Sequence, residues 1–124
     1  MNKLLTTISL LCLSVAACAE SYVCSYRNYM HTYERNGQIF IKTTAANFDD
    51  LNLPPTILGP DTWDIEVDNS EWLILSLISL EDSGLGGALV RTTIINKATG
   101  KYVSDSVRSI EFEAVKESGN CAVL

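Results

Sequence analysis

The chain has 124 residues, with nine Lys and Arg against fifteen Asp and Glu and a formal net charge of −6. That balance argues against nucleic-acid binding, which depends on cations that neutralise phosphates. The length admits one domain with one modest core.

The first segment, MNKLLTTISLLCLSVAACAE, has a basic start at Lys3, an apolar run from Leu4 to Val15 and small residues at its end. This reads as a secretory signal peptide, because the apolar run is shorter than the roughly 20 residues a membrane span needs. Cleavage after Ala19 fits the small-x-small rule. The alternative is a lipobox, with Cys18 lipidated and the protein anchored to the membrane through it. Strand-like sequence begins by Tyr22 and leaves no polar tether, which favours cleavage after Ala19. The expected organisation is a signal peptide over 1–19 and a single domain over 20–124, periplasmic or secreted. Without Lys3, eight basic residues face fifteen acidic ones. That excess is compatible with a cationic partner.

Cys12 leaves with the leader, and Cys18 leaves or carries lipid. Cys24 and Cys121 remain, an even count in an oxidising compartment, and are expected to form a disulfide tying the first strand to the last. Two cysteines and one distant histidine match no zinc spacing, so no metal and no cofactor is expected.

SYVCSYRNYMHTYERNG, Ser21 to Gly37, places Tyr22, Tyr26, Tyr29 and Tyr33 at helical spacing. The Asn36-Gly37 that follows is a strong hairpin signal and overrules the helix. A turn centred there pairs Tyr33 with Phe40 and His31 with Lys42. Read as one strand, the segment puts Cys24, Tyr26, Met30, Thr32, Ile39 and Ile41 on the core face. Tyr29, His31, Tyr33, Phe40 and Lys42 then share the opposite face. Clustered exposed aromatics mark binding surfaces, so Tyr29, His31, Tyr33 and Phe40 are the candidate binding residues. Cross-strand aromatic pairing that only stabilises the sheet is the competing explanation.

The connection from Thr44 to Asp61 carries Pro54-Pro55 and Gly59-Pro60, which forbid a central strand. Trp63, Ile65 and Val67 then alternate with Asp64, Glu66 and Asp68, the pattern of a half-buried strand. The carboxylates at Asp61, Asp64, Glu66, Asp68 and Glu71 lack the glycine of a calcium loop and read as a solvated face. After a turn at Asp68-Asn69-Ser70, Trp72 to Leu80 forms an apolar run expected to be covered on both sides. SGLGG precedes a strand instead of a helix, so it is a loop and not a phosphate cradle. Ala88 to Val107 reads as a hairpin turning at Asn96–Gly100. Ser109 to Leu124 reads as a last hairpin, with Ile110, Phe112 and Ala114 inward and a turn at Ser118-Gly119.

These runs predict an all-β fold of seven or eight strands, an antiparallel sandwich or partly closed barrel stapled by one disulfide near the termini. In general plan the chain is similar to small periplasmic proteins of proteobacteria, the periplasmic lysozyme inhibitors among them. In those inhibitors a loop serine is paired with a nearby basic residue in a Ser-Gly motif. Here no basic residue follows Ser83-Gly84 before Arg91, so the likeness is one of architecture, which does not carry function. The expected function is non-enzymatic binding of a protein or cell-envelope partner through the aromatic face. The alternative is a small hydrolase or lyase using His31 with a carboxylate. No G-x-S-x-G elbow supplies a nucleophile.

Overall fold

Alternating sequence and closely spaced turns produce an up-and-down meander in the computed structural model, which describes residues 20–47, 54–80, 87–108 and 114–124. The expected leader with Cys18 lies outside the described residues, as do Ser83, Gly84, Ile110 and Phe112. Eight antiparallel strands run in order: β1 Ser21–Tyr26, β2 Tyr29–Asn36, β3 Ile39–Ala46, β4 Thr56–Asp68, β5 Trp72–Leu80, β6 Ala88–Asn96, β7 Lys101–Arg108 and β8 Ala114–Val123. Each pairs with its neighbour, and β8 returns to β1, so the sheet closes into a barrel. Closure removes the unpaired edges that an open sheet would leave.

Three turns at one end are short and locally encoded. Gly37 takes a φ of +66° between β2 and β3. The Asn69 side-chain carbonyl accepts from the Glu71 and Trp72 amides at 2.9 and 2.7 Å. Asn96 does the same for Ala98 and Thr99 at 2.9 and 3.1 Å. These are Asx turns, in which the side chain substitutes for the missing ladder partner. Gly100 takes the left-handed conformation expected of it, φ +77°.

The Cys24–Cys121 disulfide forms as expected. Its cysteines lie directly opposite on β1 and β8, at the seam that closes the barrel. The core fills the short-turn end with Tyr22, Cys24, Tyr33, Phe40, Trp63, Leu73, Leu75, Ile95 and Tyr102. Tyr33 meets Trp63 edge to face with centroids 5.9 Å apart, a favoured aromatic geometry. Outside that end, Arg35 pairs with Glu20 and Asp68, and Lys97 reaches Asp68 at 2.5 Å. The Arg35 guanidinium also lies 5.0 Å over the Phe40 ring and caps the core.

Several expectations need correction. The opening segment is not one strand: Arg27 and Asn28 turn the chain, so Tyr26 pairs with Tyr29, and Cys24 with His31. A two-residue turn reverses parity, because directly opposed residues share a face. Cys24 therefore shares its face with His31 and Tyr33, and Met30 points to solvent. The next turn is centred on Gly37-Gln38, one residue later than expected, so Tyr33 pairs with Lys42 and His31 with Thr44. β4 pairs with β3 through Gly59-Pro60, where the ladder breaks register opposite Thr43 and the Gly59-Pro60 bond is cis. A second register shift at Glu66 interrupts the alternation after Ile65. β5 is covered on its inner face alone, by Leu73 and Leu75; Ile78 and Leu80 are largely exposed.

β8 runs straight through Ser118-Gly119 without a turn. Gly119 answers a packing demand instead. A Cβ there would meet the Ser25 carbonyl oxygen at 2.3 Å and the Tyr102 ring at 3.1 Å. Glycine lets β8 approach β1 and the ring on the inner side.

Candidate functional site

An eight-stranded barrel is just wide enough to be filled by side chains or to hold one small ligand. This one is filled by side chains at one end and encloses a cavity at the other. Away from the short turns, the inward residues become polar, and they enclose a cavity of about 460 Å³. β2 supplies His31; β3 supplies Lys42 and Thr44; β4 supplies Leu58 and Asp61. Arg91 comes from β6, Ser104, Ser106 and Arg108 from β7, and Val115 and Glu117 from β8. Leu58, Arg108 and Val115 are exposed and form the rim, while His31, Lys42, Thr44 and Ser104 are buried deeper. The connections from β3 to β4, β5 to β6 and β7 to β8 leave the barrel at this end.

Charge is concentrated here against the trend of the chain. Three of its nine Lys and Arg residues, Lys42, Arg91 and Arg108, line the cavity beside two carboxylates. Lys42 is 6% exposed. Its ammonium lies 5.5 Å from the Tyr33 ring centroid and 5.1 Å from that of Trp63, within cation–π range. Among the described residues no carboxylate comes within 4 Å of it. Burial lowers its pKa from 10.5 to about 8; repulsion from Arg91 adds to this, and Glu117 and Asp61 offset only part. Arg91 Nε is also buried, without a hydrogen-bond partner among the described residues. Buried polar atoms are ordinarily paired, so this donor is available to a ligand.

His31 crosses the inside of β1 to β8. Its Nε2 is 2.8 Å from Glu117 Oε1, and its Nδ1 is 2.8 Å from Thr44 Oγ1. Nδ1 and the Thr44 hydroxyl share a hydrogen bond whose direction follows the imidazole tautomer, while Nε2 contacts the carboxylate without the alignment of a hydrogen bond. Burial works to raise the Glu117 carboxyl, but His31, Lys42 and Arg91 outweigh it and hold it below its ordinary value. Beneath them runs a hydroxyl chain: Tyr33 to Thr93 at 3.1 Å and Thr93 to Ser104 at 3.0 Å.

The four residues expected to form an exposed aromatic patch do share a face, but that face is the barrel interior. Tyr33 and Phe40 are fully buried core residues, and His31 is 5% exposed. Tyr29 is half-buried and stacks on His31 with ring centroids 6.2 Å apart. Of the four, His31 alone lines the cavity. The acidic row is divided too: Asp61 lines the cavity, and Asp68 joins the ion pairs at the far end. Sequence reasoning passed over Arg91, Arg108 and Glu117. Their signal is a charge in the inward phase of a strand, as Arg91 stands between Leu89, Thr93 and Ile95.

No family model matches the chain, and no match was found among curated proteins or solved structures.

Proposed function

We propose that this protein is a non-enzymatic binding barrel that holds one small acidic molecule, a phosphate or carboxylate, in the open end of its interior. The observation that carries this reading is the convergence of Lys42, Arg91 and Arg108 on one cavity of an otherwise acidic protein. Arginine suits such a ligand because its planar fork matches carboxylate and phosphate oxygens. The protein or envelope partner expected from an exposed aromatic patch finds less support, because those rings point inward. The disulfide supports export to an oxidising compartment, periplasmic or extracellular.

The test is titration with small phosphates and carboxylates, followed by the fluorescence of Trp63 in a Trp72→Phe background. Saturable binding is expected, weakened about 10- to 100-fold in Lys42→Gln or Arg91→Gln, the usual range for a hydrogen bond to a charged group. Absence of saturation, or variants that bind like the wild type, would defeat the reading.

A second reading draws on the 2.8 Å His31–Glu117 contact, which could serve acid–base chemistry in a small hydrolase or lyase. Its mark would be turnover of a bound compound that disappears in His31→Ala.

A further inference from the structure

The cavity holds more than a positive field. Lys42 is the only lysine among the described residues that line it, and an amine so placed is a nucleophile as well as a charge. The residues directly opposite on the neighbouring strands are Tyr33 on β2 and Asp61 on β4. Arg91 on β6 and Glu117 on β8 add to the charged surroundings, and His31, on β2 diagonal to Lys42, contacts Glu117. Ring faces in place of a bound carboxylate leave the nitrogen lone pair accessible once the proton departs. Desolvation and a neighbouring cation are the two means by which proteins activate lysine toward carbonyl groups.

We propose that Lys42 forms a reversible imine with an aldehyde whose acid group is held by Arg91 and Arg108. This inference rests on the acidic-ligand reading and narrows it to carbonyl-bearing acids. In the reaction, the neutral Lys42 amine adds to the carbonyl carbon and a carbon–nitrogen bond forms. The carbonyl oxygen leaves as water, carrying the two hydrogens that the amine gives up. No oxidant or reductant takes part, and hydrolysis reverses the step. The free-amine fraction near neutral pH is on the order of a hundredfold larger than for a lysine of ordinary pKa.

Pyridoxal 5′-phosphate is a suitable probe because it carries both an aldehyde and a phosphate. The wild-type protein would be incubated with it, treated with borohydride to add hydride to the imine carbon, and mapped by peptide mass. One adduct per chain is expected, with the mass of the probe less one oxygen. It should lie on Lys42 and form at least on the order of tenfold faster than on the exposed Lys101 and Lys116. Pyridoxal, without the phosphate, should label Lys42 correspondingly more slowly. Lys42→Arg should lose the adduct, and the wild type should bind pyridoxine 5′-phosphate, which has no aldehyde, in competition with the labelling. Mapping on the wild type keeps the test valid if that variant folds poorly. Labelling spread evenly over the surface lysines refutes the imine. Tight binding of pyridoxine phosphate with Lys42 unlabelled refutes it too and leaves the cavity reading standing. Neither binding nor labelling removes both.

Discussion

Lys42 carries its charge in the barrel interior with ring faces for company, and this has an energetic cost. At about 1.4 kcal/mol for each tenfold change in proton affinity, lowering its pKa from 10.5 to about 8 costs about 3 kcal/mol of folding stability. The folded state binds the proton more weakly than the unfolded chain. The full penalty therefore applies below about pH 8, fades as pH rises from there, and is gone above about 10.5. Lys42→Met should accordingly raise stability by about 1–3 kcal/mol at pH 7, part of the gain being offset because Glu117 loses a nearby cation. The advantage should shrink between about pH 8 and 10.5. Urea unfolding at pH 7 and pH 10 measures both values. A variant less stable at pH 7, or a gain that grows with pH, contradicts the assignment. A gain in stability coupled to loss of ligand binding would identify a residue kept for function.

At the scale of elements, the turn between β1 and β2 decides which side of the sheet is inside. Arg27 takes a φ of +52° there, a region costing a residue with a side chain about 1–2 kcal/mol. Its guanidinium lies 5.2 Å over the Tyr26 ring. Arg27→Gly and Arg27→Ala both lose that contact, but glycine alone is free of the conformational strain. Even after its larger unfolded-state entropy, glycine should be the more stable by about 0.5–1 kcal/mol in thermal unfolding. An alanine variant equal to or better than glycine would remove the strain from the account. This turn also explains how much of the site was legible. Alternation correctly grouped Tyr29, His31, Tyr33, Phe40 and Lys42, since period two survives a register slip of two residues. Sidedness was not legible, because Arg27-Asn28 lacks the glycine that marks such turns and the opening segment passes for one strand. Met30, Ile39 and Ile41 deepened the error, as three apolar residues on the outer wall. Gly119 misled in the other direction: the Ser-Gly pair resembles a turn, and its packing role against Tyr102 exists only once β7, β8 and β1 are adjacent.

Across the whole molecule, the barrel divides into a packed end and a polar end around the cavity, and the disulfide bears on both. β1 and β8 come from opposite ends of the described chain, and their pairing closes the barrel. The Cys24–Cys121 bridge spans 97 residues, and on the chain-entropy model a loop of that size is worth about 4–5 kcal/mol. That is a large part of the roughly 5–15 kcal/mol available to a small domain. The same seam aligns the site, because His31 on β2 reaches Glu117 on β8 across the inner surface of β1, next to Cys24. A Cys24→Ala/Cys121→Ala variant should lose about 2–5 kcal/mol in urea unfolding, and hydrogen exchange should speed up first in β1 and β8. Its affinity for small anions should fall as well, because loosening the seam separates the β8 wall from the β2 and β3 walls. Full affinity with faster exchange confined to β1 and β8 would show that Lys42 and Arg91, on β3 and β6, hold the ligand without the seam. An unchanged exchange pattern would mean that the strand ladder closes the barrel unaided.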